Sequence, residues 1–151
     1  MRFILISTVA LGLMTGGCNG RQVGTVEYLT SPATAGLNLP FSEAVRVDDL
    51  LFVSGQIGNL PGTLTLAEGG IQGQTRQTLE NMRAILERCG SSMDRVVKCT
   101  VYLTDMSEWP AMNEMYVQYF PGRKPARAAA GASALAVGAK VEIECIAVMA
   151  D

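Results

Sequence analysis

The sequence predicts one α+β domain, in which a mixed β-sheet carries two helices on one of its faces. Two observations point to this fold class. Segments with strand patterns and segments with helical spacing follow one another in the order strand, strand, strand, helix, strand, helix, strand, strand. The chain also has 151 residues, of which 48% are hydrophobic and 17% are charged, and this composition suits a single core.

The first 17 residues are predicted to be a signal peptide. Arg2 is their only charge, and residues 3–14 form an apolar run that is too short to span a bilayer as a helix. The small residues before Cys18 resemble the lipidation motif of bacterial lipoproteins, although Thr15 stands where that motif usually has leucine. We therefore expect export and lipidation at Cys18, with export alone as the alternative.

Cleavage before Cys18 would leave residues 18–24 as a polar tether and residues 25–151 as the folded domain. The mature protein is then expected in the cell envelope, either in the periplasm or anchored to the membrane by lipid. An unprocessed chain would instead stay in the cytoplasm. The mass of the mature amino terminus tests this expectation, and a cytoplasmic chain that still begins at Met1 would contradict it.

The first half of the domain is predicted to contain three strands and two loops. The strands are residues 25–30, 43–47 and 50–57. The second and third strands form a pair that turns at Asp48 and Asp49. Gly55, near the end of the third strand, allows the backbone to approach a ligand closely. Residues 31–40 and 58–70 contain proline and glycine and are expected to be loops.

Two helices are predicted from apolar residues at three- and four-residue spacing. In the first helix, predicted over residues 73–89, these are Leu79, Met82, Ile85, Leu86 and Cys89. Gly90 is expected to end that helix. The shared face of the second helix comprises Trp109, Met112, Tyr116, Tyr119 and Phe120. We interpret this face as core rather than as a cofactor site. Ser107 is the predicted N-cap, because it places Pro110 in the first turn.

Between the two helices, residues 95–104 alternate and predict a half-buried strand. The residues expected on its buried face are Val97, Cys99, Val101 and Leu103. Cys99, and Cys145 in the last strand, are interpreted as small buried hydrophobic residues.

The last two strands contain the residues of greatest chemical interest. Arg127 shares one side of its strand with Ala129 and Gly131, whose small size leaves room for a ligand. A guanidinium in such a place suits a carboxylate or phosphate, and a salt bridge to a neighbouring glutamate is the structural alternative. In residues 140–149, Glu142 lies on a face of mixed polarity, which indicates cover by another subunit. A structural ion pair is the alternative role for Glu142.

Composition argues against several kinds of function. The chain has no histidine, which is the commonest general base and metal ligand, and its four cysteines lack metal-ligand spacing, so no metal site is expected. The net charge is only −2 and there is no cluster of basic residues, so nucleic acid is not an expected partner. Any catalysis must therefore rest on carboxylates, arginine, backbone groups and water.

A series of motifs extends over nearly all of the chain from about Pro40 to Val148. They are residues 44–45, 51–57, 74–81, 101–106, 112–114, 125–127 and 141–144. Together they resemble the RidA family, also called YjgF or reactive-intermediate imine deaminases. The resemblance implies a chorismate-mutase-like α+β fold and a homotrimer whose sheets face inward, with ligand sites in the clefts between subunits. It also implies hydrolysis of 2-imino acids, such as 2-iminobutanoate and 2-iminopropanoate, to 2-keto acids and ammonia without a cofactor.

The resemblance also assigns roles to residues by matched position. Arg127 corresponds to the family arginine that binds the substrate carboxylate, and Glu142 corresponds to the glutamate that helps to activate water. Gly55 and Gln56 match a strand end at the cleft, and Asn113 matches an asparagine near it.

Two further positions of the substrate site depart from the family pattern. The family commonly has cysteine where this chain has Ala129 and tyrosine where it has Phe41, which leaves the substrate range open. Two other functions are alternatives: a non-catalytic module that binds small carboxylates, and the endoribonuclease activity that has been associated with the family. The absence of histidine and the acidic balance argue against the second.

Overall fold

The computed structural model describes residues 24–36 and 38–150, so the predicted signal peptide and Cys18 lie outside the described residues. The described residues form one six-stranded sheet and three α-helices. The strands are β1 (Val26–Leu29), β2 (Ala44–Val47), β3 (Leu50–Ile57), β4 (Val96–Leu103), β5 (Ala126–Gly131) and β6 (Val141–Val148). The helices are α1 (Pro32–Ala35), α2 (Gly70–Arg88) and α3 (Trp109–Tyr119). None of these helices has the length and hydropathy of a membrane-spanning segment.

The sheet is mixed, as predicted, with the strand order β1-β2-β3-β6-β4-β5. All neighbouring strands are antiparallel except β4 and β5, which are parallel because α3 forms the crossover between them. This order places the last strand, β6, in the centre of the sheet between β3 and β4. β5, which carries Arg127, lies at one edge.

The core lies between one face of the sheet and the two long helices, which confirms the predicted arrangement. α2 contributes Leu79, Met82 and Leu86, and α3 contributes Met112 and Tyr116. The sheet contributes Leu51, Val53, Cys99, Val101, Leu103, Val141, Ile143, Cys145 and Ala147. The prediction that Cys99 and Cys145 act as buried hydrophobic residues is confirmed, since both are buried as free thiols.

Helix α2 begins earlier than predicted. Its first residue is Gly70 rather than Gly73, because Gly69 adopts φ +91° and starts the helix without a capping side chain. Gly73 lies inside the first turn, where a Cβ would overlap the carbonyl oxygen of Glu68. The predicted end is confirmed: Gly90 has φ +82° and follows the last turn.

The loop prediction for residues 31–40 is wrong in part, because it overlooked the short helix α1. Ser31 caps this helix by accepting a hydrogen bond from the amide of Thr34 (3.3 Å), and Pro32 occupies the first helical position, where the missing N–H costs little.

Ser107 is not the N-cap of α3. A 3₁₀ turn over Met106–Glu108 precedes the helix, and the Asp105 carboxylate caps this turn by accepting from the amide of Ser107 (2.8 Å). α3 therefore begins at Trp109, with Pro110 in its first turn as expected. Trp109 remains exposed rather than joining the core face.

The prediction for Val97 is also wrong: it was expected on the buried face of its strand but is exposed. A β-bulge shifts the register between Val96 and Lys98, so Val96 is buried in the core and Val97 is exposed. Beyond the bulge the predicted alternation holds.

The face of the sheet that lacks helices carries several exposed apolar side chains. They include Val26, Tyr28, Leu50 and Phe52, and the register places Val45, Val47, Ile146 and Val148 on the same face. Contiguous exposed apolar surface of this kind is typical of an interface. We therefore expect neighbouring copies of the chain in the predicted homotrimer to cover this open face.

Substitution of Phe52 by Asp tests this expectation, because Phe52 lies within the open face. A charge at this position should dissociate the assembly, since a buried carboxylate without a partner is costly. Light scattering should give three protomers for the wild type and one for Phe52→Asp. Val117→Asp is the matched control, because Val117 is similarly exposed (47% against 41%) but belongs to α3. A trimeric Phe52→Asp variant would rule out this face as the interface.

Candidate functional site

Arg127 lies on the edge strand β5 and directs its side chain toward helix α3. Its Nη1 donates a hydrogen bond to Asn113 Oδ1 at 2.8 Å. Its guanidinium carbon lies 4.6 Å from the centre of the Tyr116 ring, within the range of a cation–π contact. Asn113 and Tyr116 are three residues apart on α3, so they share one face of the helix. Two contacts from one helix thus hold the guanidinium in place.

These contacts correct one detail of the sequence prediction. The small side chains of Ala129 and Gly131 do not leave an empty space for a ligand beside the guanidinium, because the ring of Tyr116 packs against it. The small residues have other uses: Ala129 packs against the core, and a Cβ at Gly131 would lie 3.3 Å from the Met106 side chain. No carboxylate in the described part of the chain pairs with Arg127 within 4.0 Å. The predicted alternative of a structural salt bridge therefore has no partner among the described residues.

The neighbours of Arg127 leave its charge uncompensated. Tyr116 is buried, and burial raises the pKa of its phenol, so the ring stays neutral beside the guanidinium. Its hydroxyl has no hydrogen-bond partner among the described residues. Asn113 uses one of the five N–H donors of the arginine. The remaining donors have no partner in the described part of the chain and can bind an oxyanion.

Glu142 lies on β6 in the sheet and points to the open face. Gly55 on β3 lies directly beside it, and a Cβ at Gly55 would overlap Glu142 Oε1. Only glycine leaves room for this carboxylate. Partial burial raises the pKa of Glu142, and the negative charge of Glu144 raises it further. Glu142 is thus a carboxylate with increased affinity for a proton.

Glu142 borders a hollow of about 380 Å³ at the end of β3 and β6. Three other predicted site residues, Phe41, Gly55 and Gln56, line the same hollow. Gln56 Nε2 donates to the carbonyl of Ser54 at 3.1 Å, which fixes the amide at the strand end.

Two polar residues that the sequence analysis did not identify hold the walls of this hollow. Glu43 is buried and accepts hydrogen bonds from the amide of Ser31 (2.5 Å) and from Arg88 Nη2 (2.7 Å), which ties the α1 segment to α2. Asn81 Nδ2 donates to the carbonyls of Ile57 (3.1 Å) and Asn59 (2.9 Å) and secures the end of β3. Partners so distant in sequence leave no local pattern to recognise.

The predicted site residues therefore form two groups. Arg127, Asn113 and Ala129 lie together on the helical side of β5, whereas Phe41, Gly55, Gln56 and Glu142 lie together at the open face. The register explains the division, because Arg127 pairs with the core-facing Cys99 while Glu142 occupies the opposite parity of its strand. One chain alone does not bring the two groups onto one ligand.

No three histidine, cysteine, aspartate or glutamate side chains converge within residues 24–36 and 38–150. The chemistry available is a fixed cation with free donors, a carboxylate with a raised pKa, and backbone groups at the glycine of β3.

Comparison with known proteins identifies the family. Residues 31–149 match the family model described as endoribonuclease L-PSP. The chain belongs to this family, the RidA/YjgF family. The resemblance drawn from the sequence motifs is thereby confirmed.

Relatives within the RidA/YjgF family carry different names. A RutC family protein of Pyrococcus horikoshii is 47% identical over 108 residues, which cover 72% of this chain and 86% of that protein. A Mus musculus protein named 2-iminobutanoate/2-iminopropanoate deaminase is 44% identical over 118 residues, which cover 78% of this chain and 85% of that protein.

Solved structures of the family share the fold. The yeast protein YEO7 superposes with a TM-score of 0.77 at 33% identity, covering 83% of this chain and all of that chain (100%). Escherichia coli TdcF, solved with bound serine, gives a TM-score of 0.70 at 34% identity and covers 74% of this chain and 90% of that chain. The predicted fold class is confirmed.

Replacement of Tyr116 tests its role as the support of Arg127. Tyr116→Leu removes the aromatic face, so affinity for a 2-keto acid should fall by a factor that corresponds to about 0.5 to 2 kcal/mol. Tyr116→Phe is the matched control, because it keeps the ring and removes only a hydroxyl without a partner. Calorimetry with pyruvate measures both affinities, and thermal unfolding checks that each variant is folded. Wild-type affinity in a folded Tyr116→Leu variant would exclude the cation–π support.

Proposed function

We propose that this protein hydrolyses 2-imino acids to 2-keto acids and ammonia, without a cofactor, at sites shared between the subunits of a homotrimer. One observation carries the proposal. A cation with free donors and a carboxylate with a raised pKa lie on opposite faces of the sheet, and the register places Arg127 level with Cys145, three residues along β6 from Glu142, so two copies are needed to assemble them on one ligand. Family relatives at 43 to 44% identity are named 2-iminobutanoate/2-iminopropanoate deaminase, which supports the reaction.

In this proposal Arg127 binds the substrate. A planar guanidinium takes a carboxylate through two parallel hydrogen bonds, which sets the position of the adjacent C=N carbon. The contacts of Arg127 with Asn113 and Tyr116 keep the guanidinium from turning, so the grip costs little entropy. The C=N carbon of the bound acid is then placed next to Glu142 of the neighbouring copy.

Glu142 acts on water. Its carboxylate accepts a proton from a water molecule as the water oxygen bonds to the C=N carbon and the π electrons move to nitrogen; the protonated Glu142 then gives this proton to the nitrogen and is restored as a carboxylate. In the resulting carbinolamine the hydroxyl proton passes to nitrogen and the C–N bond breaks. The products are ammonia and a 2-keto acid. Because imines react with water unaided, orientation of the two reactants supplies most of the acceleration that is needed.

An endoribonuclease activity is less well supported. The description of the family model carries that name, but this chain has no histidine and has 12 basic against 14 acidic residues. RNA binding depends on basic surface, and acid–base cleavage of RNA at neutral pH is served best by imidazole. A non-catalytic carboxylate-binding role would keep Arg127 and make no use of the raised pKa of Glu142.

We also propose that the protein works in the cell envelope, on the basis of the sequence of residues 1–18. Its imines would then come from an oxidation of amino acids in that compartment. An imine reacts with water unaided, so it must be formed close to the enzyme that uses it.

Arg127→Lys tests the carboxylate grip. Lysine keeps the charge and loses the two-point contact, so both keto-acid affinity and imine turnover should fall. The two losses together should amount to about 2 to 4 kcal/mol of binding and transition-state stabilisation. Arg123→Lys is the matched control, since Arg123 is exposed and precedes β5. Calorimetry measures affinity, and an amino-acid oxidase that generates imines in the assay measures turnover. If Arg127→Lys behaves like the wild type, the assignment is wrong.

Glu142→Gln tests water activation. The amide keeps the shape of the side chain, so keto-acid affinity should change little while kcat falls. The wild type should also lose kcat/KM as the pH falls through the pKa of Glu142, because only the carboxylate can accept a proton. Burial raises that pKa above its ordinary value of 4.5, so the acidic limb should lie above pH 4.5. The limb should be missing in Glu142→Gln, and an unchanged limb in this variant would assign it to another group.

A further inference from the structure

Four large apolar side chains that are exposed to solvent surround the hollow beside Glu142. Leu39, Phe41, Leu64 and Val137 are 37%, 52%, 58% and 51% exposed, and all of them line this hollow. They belong to three separate connections of the fold, between α1 and β2, β3 and α2, and β5 and β6. Exposed apolar groups that converge from three connections indicate a surface that binds apolar matter.

The backbone at Val137 strengthens this conclusion. Val137 has φ +50° inside the 3₁₀ turn Ala136–Gly138, in the left-handed region that a β-branched residue rarely adopts. Asparagine or glycine would occupy such a position at lower cost. A strained valine at the rim of a hollow indicates that its apolar side chain is used there.

The polar lining of the hollow is divided unequally. Glu142 and Gln56 lie at the sheet end, next to the backbone of Gly55. Other polar side chains of the lining are engaged within the protein: Glu43 with Arg88, and Asn59 with the carbonyl of Thr63. The Thr34 hydroxyl likewise donates to the carbonyl of Ser31, and the remaining side chains of the lining are apolar. Glu142 is thus the only charged side chain of the described lining without an ion-pair partner.

This division orients a substrate. If the C=N carbon lies at Glu142 and the carboxylate is held by Arg127 of a neighbouring copy, the third substituent on that carbon must extend along the apolar wall. In the single chain the hollow measures about 380 Å³, which exceeds the methyl group of 2-iminopropanoate and leaves space beyond what a neighbouring copy must fill to present Arg127. Water would have to fill the remaining space, and a larger apolar group would displace it.

We infer that the substrates of this protein are 2-imino acids with branched aliphatic or aromatic side chains, which the wall of Leu39, Phe41, Leu64 and Val137 binds. The inference rests on the proposed function and extends it to a substrate class. One methylene in an apolar pocket changes kcat/KM by roughly 10-fold or more, so a leucine-derived imine should be preferred over an alanine-derived imine by at least about 10-fold.

The test uses imines generated in the assay by an L-amino-acid oxidase from alanine, leucine and phenylalanine. The kcat/KM of the full-length protein is measured for each imine. Calorimetry in parallel compares pyruvate with 4-methyl-2-oxopentanoate, which reports binding without turnover. Both methods should favour the larger side chain by about 10-fold or more.

A pair of variants assigns the preference to the wall. Leu64→Ser removes one apolar group from the hollow and should reduce the leucine-to-alanine ratio toward one. Leu60→Ser is the matched control, because Leu60 is an exposed leucine of the same connection that does not line the hollow. It should keep the wild-type ratio.

Each outcome has a distinct meaning. Equal or faster hydrolysis of the alanine-derived imine would overturn the inference and leave the proposed deamination intact. Failure to hydrolyse any of the three imines would overturn the proposed function. Even without turnover, equal affinities for the two keto acids would show that the apolar wall does not select the side chain. An equal loss for all imines in Leu64→Ser would show that Leu64 does not select the side chain.

Discussion

The alternation of side chains across one sheet is the constraint on which the rest of this structure depends. Neighbouring strands share their register, so Arg127 on β5 faces the helices while Glu142 on β6 faces away from them. No rotamer change carries a side chain through a hydrogen-bonded sheet. In the proposed function, a site that uses both residues takes one from each of two copies, so the oligomer would be part of the chemistry.

The two faces are prepared differently for this task. On the helical side, the core of α2 and α3 is complete, and α3 holds Arg127 through Asn113 and Tyr116. On the open side, apolar residues remain exposed next to the hollow of Glu142. The first arrangement makes a rigid cation, and the second leaves surface for a partner and for a substrate side chain. A rigidly held arginine on one face and exposed apolar surface on the other thus occur in the same chain, as expected for a site shared between subunits.

Much of the fold could be predicted from the sequence because its periodicities are local. The stripe from Leu79 to Leu86 and the alternation from Val141 to Ala147 determine helix and strand without reference to partners. What was missed depended on contacts distant in sequence, such as the bulge that exposes Val97 and the carboxylate of Glu43 bound by Arg88. Tyr116 was correctly expected in the core, but its contact with Arg127 depends on how α3 crosses β5.

Mixed trimers test the shared site most directly. Arg127→Ala and Glu142→Ala, each of which is expected to be inactive alone, are tagged differently, co-expressed and purified through both tags. In every trimer that contains both variants, a site that takes its arginine from one copy and its glutamate from the next is intact at one of the three interfaces, or about one third. Imine hydrolysis should therefore return to a substantial fraction of wild type in the mixed trimers. No recovery would show that both residues act from the same chain and would contradict the account.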